Sequence, residues 1–149
     1  MYRKILVPVD GSAAARHGLQ QALNLAREGR AELLLLHVVD EFIPAMTPDA
    51  VYGTAEMIEA MREAGQAVLR EAAEYAQAQG VTPRTDLVER MGGRAAPIIV
   101  DRATDWGADL IVIGTHGRRG VRRLVMGSDA EEVVRMSRIP VLLVKAQPD

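Results

Sequence analysis

The sequence contains no cysteine, few aromatic residues and no long apolar run, and each absence narrows the possible functions. Without cysteine among its 149 residues, the chain cannot form disulfides, use a catalytic thiol or bind a metal through thiolates. No apolar run approaches the roughly 18 residues that a membrane helix needs. Because aromatic residues make up only 3% of the chain, the core of the folded domain must consist of aliphatic side chains and alanine.

The charge balance and the first residues narrow the function further. A net charge of −2 argues against a general nucleic-acid binder. The residues 1–7 lead directly into an apolar, β-branched run and lack the apolar core of a signal peptide, so we expect a cytoplasmic protein. The length fits a single domain, which we expect to span residues 1–149.

Two familiar phosphate-binding motifs are also missing. No Gly-Lys-Ser/Thr occurs, so the chain has no P-loop. The first apolar run ends in Asp10-Gly11-Ser12, which is not the Gly-x-Gly-x-x-Gly fingerprint of dinucleotide-binding domains. Lysine occurs only at Lys4 and Lys145, so no lysine lies where it would assist phosphoryl transfer, and we identify no catalytic residue.

Apolar periodicity predicts strands that alternate with helices. The predicted strands are 4–9, 33–39, 85–88, 110–113 and 141–144, and the predicted helices are 13–29, 55–79, 96–106 and 129–137. Residues 40–54 contain two prolines and a glycine and are predicted to form a loop. The alternation predicts an α/β, Rossmann-like fold with one doubly wound, five-stranded parallel sheet and right-handed crossovers. In such a sheet the ligand crevice lies beyond the carboxyl ends of the strands.

The stretch 109–128 organises the chain around that crevice. The apolar run Leu110–Ile113 predicts a buried strand, and a glycine-bearing loop follows it. Ser128 and Glu131 then match a Ser-x-x-Glu capping box that would begin a helix. Glycine permits either close approach of the backbone to a ligand or an unusual backbone angle, and a helix N-terminus attracts anions. The stretch therefore predicts an anion cradle, with a simple tight turn as the alternative.

The glycine spacing carries a resemblance to a known family. Gly-x2-Gly-x9-Gly-Ser, from Gly114 through Gly117 to Gly127 and Ser128, resembles the nucleotide-binding branch of the universal stress protein family. The resemblance continues at 7–12, 37–39 and 139–144 and so covers essentially the whole chain. It implies the strand order 3-2-1-4-5, binding of ATP or a related adenine nucleotide, and a regulatory or stress-response role. It also implies a homodimer that pairs its last strands, which here contain Val141, Leu142, Leu143 and Val144.

The resemblance assigns roles to particular residues. Asp10 would accept hydrogen bonds from ribose hydroxyls, and Val38 would pair with the adenine edge through its backbone. The arginine fork of Arg118 suits a phosphate oxygen. The complete set of candidate cofactor-binding residues is Pro8, Val9, Asp10, Ser12, Val38, Gly114, His116, Gly117, Arg118, Gly127, Ser128 and Asp129.

Plainer interpretations remain open for several of these residues. Asp10 would also serve to cap the following turn or helix, and Val38 is equally suited to the core. Arg118 and its neighbours Arg119, Arg122 and Arg123 would also fit a solvated loop. The three histidines fall on different predicted elements, which argues against a shared metal site. Of these, His37 is predicted to be a core residue at a strand end, and His116 to line the pocket.

Asp129 departs from the family pattern, which usually has an apolar or hydroxyl residue directly after Gly-Ser. Its carboxylate would repel a triphosphate unless a cation intervened, so we predict that Asp129 binds Mg²⁺ together with the phosphates of ATP. The plainer alternative is an acid that stabilises a helix start. Two other functions stay open: a slow Mg²⁺-dependent ATPase or phosphotransferase that uses Asp10 or Asp129, and a dimeric interaction module without nucleotide.

Overall fold

A five-stranded parallel sheet forms the centre of this protein in a computed structural model, which describes residues 1–40, 50–90, 92–115 and 127–145. The strands are β1 (Lys4–Pro8), β2 (Glu32–Asp40), β3 (Arg84–Arg90), β4 (Leu110–Gly114) and β5 (Val141–Val144). The helices are α1 (Ala13–Gly29), α2 (Ala50–Ala78), α3 (Ala95–Trp106) and α4 (Ser128–Met136). The strand order is β3-β2-β1-β4-β5 and every pairing is parallel, which confirms the predicted α/β topology. None of the helices in these ranges is long and apolar enough to cross a membrane.

The sheet is buried on both faces, as the continuous apolar runs predict. Alternate residues of β2 enter opposite cores, because successive side chains on a strand point to opposite faces. Leu33 and Leu35 pack with helices α1 and α2, whereas Leu34 and Leu36 pack with helices α3 and α4. Alanines of the helices fill the remaining space, with Ala22, Ala26, Ala76, Ala96 and Ala103 all buried.

Strands β1 and β4 separate toward their carboxyl ends, and this opens a crevice. Their register pairs only Ile5 with Leu110 and Leu6 with Ile111, whereas β1 pairs with β2 over five residues. At the other end Asp109 holds the two strands together, since its carboxylate accepts the N–H groups of Arg3 at 2.8 Å and Lys4 at 2.9 Å. Burial would raise the pKa of Asp109, but these N–H groups outweigh burial and hold the pKa below its ordinary value. Strands β1 and β4 are therefore held together at their amino ends and apart at their carboxyl ends.

The start of helix α2 differs from the prediction by five residues. Helix α2 begins at Ala50 instead of Ala55, so the predicted loop 40–54 is wrong over residues 50–54. It is also wrong at Asp40, which ends β2, while 41–49 lie outside the described residues. A single glycine such as Gly53 costs a helix only about 1 kcal/mol, which a helix of this length can absorb. Helix α1 ends at Gly29 as predicted, but the left-handed cap is Arg30, with φ 53°.

The start of helix α4 contradicts the predicted capping box. Gly127 is the N-cap and its carbonyl accepts the N–H of Glu131 at 3.0 Å, so Ser128 is already the first helical residue. No side chain caps this helix. The carboxylate of Glu131 pairs instead with Arg135, one turn later, at 2.8 Å. The helix N-terminus therefore keeps main-chain donors that the capping box would have used.

Candidate functional site

A cavity of about 340 Å³ lies in the crevice beyond the carboxyl ends of β1 and β4. Nine of the twelve predicted binding residues line it: Pro8, Val9, Asp10, Ser12, Val38, Gly114, Gly127, Ser128 and Asp129. The other three, His116, Gly117 and Arg118, lie outside the described residues, as do Arg119, Arg122 and Arg123. Segments that are distant in sequence therefore meet at the point where the strand order reverses.

Asp10 occupies the mouth of the cavity and also orders the turn beside it. Its Oδ1 accepts the N–H of Ser12 at 2.8 Å, and the Ser12 hydroxyl in turn accepts the N–H of Ala15 at 3.1 Å. The alternative interpretation of Asp10 as a turn residue thus holds for one oxygen. Within the described part of the chain, Oδ2 has no hydrogen-bond partner, so one oxygen of this exposed carboxylate is left for a ligand.

Gly114 is a glycine for a reason that the sequence does not reveal. A Cβ on this residue would meet the carbonyl group of Ala14, with only 2.5 Å to the carbonyl carbon and less to the oxygen. Gly18 faces the same contact, since its Cβ would lie 3.2 Å from the Gly114 nitrogen. The missing side chains let the backbones of α1 and β4 touch. Gly114 therefore brings helix α1, and the turn before it, up to the crevice.

Gly127 has an ordinary backbone conformation, with φ −55° and ψ 145°, so an unusual backbone angle does not explain this glycine. Its N–H donates to the carbonyl of Thr115 at 2.5 Å, which brings residues 115 and 127 together. The N–H of Gly127 is thus already paired within the protein. The donors that remain for a ligand are those of the residues that follow it.

Those donors share the cavity with an unsatisfied hydroxyl. The N–H groups of Ser128, Asp129 and Ala130 have no intrahelical acceptor, because Glu131 makes the first helical bond. Thr115, which is 6% exposed, lines the same cavity, and its hydroxyl has no hydrogen-bond partner among the described residues. The sequence analysis did not single out Thr115, although a hydroxyl residue between a buried strand and a glycine loop is a usable signal. Main-chain donors and a buried hydroxyl together suit an anionic group.

The other end of the cavity is apolar. Leu36 and Val38 from β2 and Ala95 and Ile99 from α3 line this end, and Arg90 at the end of β3 also contributes. His37 lines the cavity as well, and its Nδ1 lies 2.7 Å from the carbonyl oxygen of Val9. The prediction of a core histidine at a strand end is wrong, because His37 lies three residues before the end of β2 and is half-buried beside the cavity. Its hydrogen bond to the carbonyl of Val9 was not foreseen. An apolar slot next to polar donors suits a flat, partly polar ligand.

The described residues contain no group of three or more His, Cys, Asp or Glu side chains that could hold a metal ion. Asp129 is exposed on the first turn of α4, and with Asp10 it supplies the two carboxylates of the cavity lining. Mg²⁺ commonly uses one or two carboxylates and takes its other ligands from phosphates and water. The residues present therefore fit a cation that arrives with a phosphate ligand.

Sequence comparison places this architecture in a family. A model of the universal stress protein family matches residues 1–145. The chain belongs to that family. The universal stress protein MJ0531 of Methanocaldococcus jannaschii is 37% identical over 146 residues, which cover 97% of this chain and 83% of that protein. The universal stress protein YxiE of Bacillus subtilis is 33% identical over 151 residues, which cover 97% of this chain and 100% of that protein.

Solved structures of universal stress proteins share the fold. UspA from Lactobacillus plantarum superposes with a TM-score of 0.82 at 28% identity, over 96% of this chain and 97% of that one. A universal stress protein in complex with cAMP and one from Archaeoglobus fulgidus in complex with dAMP give TM-scores of 0.71 and 0.63, each at 24% identity. The first covers 98% of this chain and 99% of that one, and the second 97% and 98%. At that identity the last two demonstrate a common fold.

Proposed function

We propose that this universal stress protein binds an adenine nucleotide, ATP in the first place, in the crevice between β1 and β4. The observation that carries this proposal is that two sets of unsatisfied polar groups occur together. One is the buried Thr115 hydroxyl, and the other is the free N–H groups of the first turn of α4. Both belong to one cavity, and both would be satisfied by phosphate oxygens. An unsatisfied buried hydroxyl costs about 1–3 kcal/mol, which a ligand would recover.

The shape of the cavity supports a nucleotide over a simple anion. The apolar slot between β2 and α3 suits a purine, and the free oxygen of Asp10 in the same cavity would accept ribose hydroxyls. The cAMP and dAMP held by the two related proteins favour adenine as the base. We propose that Mg²⁺ would bind Asp129 and take its other ligands from the phosphates and water.

Replacing Thr115 by valine tests what its hydroxyl contributes to ATP affinity and to the stability of the nucleotide-free protein. We expect Thr115→Val to lower ATP affinity about tenfold, because one hydrogen bond to phosphate is lost. We also expect the nucleotide-free variant to be at least as stable as the parent, because an unsatisfied polar group leaves the interior. Calorimetric titration with ATP and urea unfolding without nucleotide measure the two effects.

Thr115→Ser is the matched control, since it keeps the hydroxyl and should retain most of the affinity. If Thr115→Val binds ATP as tightly as the parent, the hydroxyl does not contact the ligand. If the variant is less stable without nucleotide, the hydroxyl already has a partner in the empty protein. Either result contradicts the assignment of Thr115 to the phosphate site.

We propose a regulatory, nucleotide-sensing role and not rapid turnover. The described lining of the cavity contains carboxylates at Asp10 and Asp129 but no lysine that would stabilise a transferred phosphoryl group. The rival function, a slow Mg²⁺-dependent ATPase or phosphotransferase, would use those same carboxylates. An assay of ADP production from ATP distinguishes the two, because a regulator should hold ATP intact over many binding cycles.

We also propose that the protein forms a homodimer through β5. This strand lies at the edge of the sheet, next to β4 alone, and Leu142 on it is 38% exposed. An apolar edge strand left unpaired invites aggregation, and pairing with a second copy across a two-fold axis would cover it. The rival function, a dimeric interaction module without nucleotide, would use the same edge strand. The calorimetric titration with ATP distinguishes the two, because such a module would not bind ATP.

Leu142→Lys should convert the dimer to a monomer, because the substitution places a charge in the centre of the proposed contact. Light scattering at micromolar concentration measures the mass of the parent and the variant. The matched control is Met57→Lys, which adds the same charge at an exposed apolar residue of helix α2. We expect the control to remain dimeric. A monomeric parent would refute the proposed dimer.

A further inference from the structure

We infer that His37 determines base specificity by keeping the main chain of Val38 unpaired in the cavity. This inference rests on the proposed function, because an open main-chain edge matters only if a nucleobase binds there. The imidazole of His37 lies on the α2 side of the sheet, where it packs against Gly65. The inference depends on how the β1–β2 ladder ends.

The ladder between β1 and β2 stops one hydrogen bond early. Pro8 pairs with Leu36, and the N–H of Val9 donates to the carbonyl of Leu36 at 2.8 Å. In a continuing parallel ladder, the carbonyl of Val9 would next accept the N–H of Val38. That hydrogen bond is absent from the described part of the chain, and β1 ends at Pro8.

The imidazole of His37 takes the place of the missing donor. Its Nδ1 lies 2.7 Å from the carbonyl oxygen of Val9, which is the acceptor that Val38 would otherwise use. A carbonyl oxygen only accepts, so Nδ1 carries the hydrogen of this bond. Gly65 makes the arrangement possible, since a Cβ there would lie 2.7 Å from His37 Cδ2. Helix α2 thus holds the ring against the end of β1.

The consequence is an unpaired peptide edge in the crevice. Alternate residues of a strand turn their main-chain groups to the same side, so Val38, like Leu36, directs its N–H and C=O toward β1. Val38 is one of the residues that line the apolar slot of the cavity. A donor and an acceptor side by side match the edge of adenine, which offers N1 as acceptor and its amino group as donor. They oppose hypoxanthine, whose N1–H donates and whose O6 accepts.

Leucine and asparagine at position 37 provide a matched test, because they have the same shape and only asparagine can donate to Val9. In His37→Leu, Val38 should close the ladder by bonding to Val9. We expect hydrogen exchange of the Val38 amide, followed by NMR without nucleotide, to slow at least about tenfold relative to the parent. In His37→Asn the exchange should stay close to the parent rate.

The binding readout is the ratio of affinities for ATP and inosine triphosphate, measured by calorimetry. We expect His37→Leu to lower this ratio about tenfold and His37→Asn to preserve it. An unchanged ratio and unchanged Val38 exchange in His37→Leu would overturn the role of His37 while leaving the proposed nucleotide site intact. A parent that binds neither nucleotide would instead overturn the proposed function, and Val38 exchange alone would then decide whether His37 holds the ladder open.

Discussion

Gly114→Ala should destabilise the protein by about 3 kcal/mol or more, because its new Cβ would collide with main chain and not with a movable side chain. The carbonyl group of Ala14 lies within 2.5 Å of that position, and Ala14 is itself buried on helix α1. Helix α1 would have to move away from β4. The movement would carry the turn at Ser12 with it, so nucleotide affinity should fall together with stability. Urea unfolding and calorimetric titration measure the two losses.

Gly18→Ala is the matched control for this contact. Its Cβ would lie 3.2 Å from the Gly114 nitrogen, a tight distance that a shift of a few tenths of an ångström relieves. Gly18 also lies within a helix, where alanine is favoured over glycine by about 1 kcal/mol. We therefore expect Gly18→Ala to cost much less than Gly114→Ala. If Gly114→Ala unfolds within about 1 kcal/mol of the parent, the packing argument for this glycine is wrong.

Asp129→Asn should remove most of the Mg²⁺ dependence of ATP binding. At a separation of about 6 Å, and with an effective dielectric constant between about 80 and 20, the Asp129 carboxylate would repel each phosphate charge by roughly 0.7–3 kcal/mol. Mg²⁺ would convert this repulsion into a bridge, because it binds carboxylate and phosphate oxygens together. The parent should therefore bind ATP several-fold or more tightly with Mg²⁺ than with a chelator.

Four titrations test this prediction, with ATP affinity measured for the parent and for Asp129→Asn, each with Mg²⁺ and with chelator. The variant should bind more tightly than the parent in chelator and respond little to Mg²⁺. Glu131→Gln is the matched control, since it removes a charge from the same helical turn at a residue that pairs with Arg135 and does not line the cavity. Equal affinities in all four titrations would show that Asp129 only stabilises the helix start.

The sequence predicts the strands, the helices and the α/β class from patterns that local chemistry controls, whereas the strand order is what the family resemblance implies. Continuous apolar runs such as Leu33–Leu36 identify strands buried on both faces, and their alternation with amphipathic helices leaves few possible arrangements. Once the strand order is known, the crevice follows, because Asp10 comes just after β1 and Gly114 ends the neighbouring strand β4. The structure accordingly places nine predicted site residues on one cavity.

The features that the sequence does not reveal depend on contacts between distant residues. Ser128 matches a capping box, yet helix α4 begins one residue earlier, with Gly127 as its N-cap bonded to the distant Thr115, and the box does not form. Thr115 is buried, and nothing in its neighbours in sequence shows that its hydroxyl lacks a partner. The role of His37 requires the register between β1 and β2, which no local pattern specifies.

Calorimetric titration of the parent protein with ATP in the presence of Mg²⁺ tests the central claim most directly. The account predicts saturable binding of one nucleotide per chain, with Thr115→Val weakened about tenfold and Thr115→Ser close to the parent. Mass spectrometry of the denatured starting material shows whether a nucleotide already occupies the purified protein and must be removed first. Nucleotide-free protein that gives no saturable binding of ATP at millimolar concentration would contradict the account.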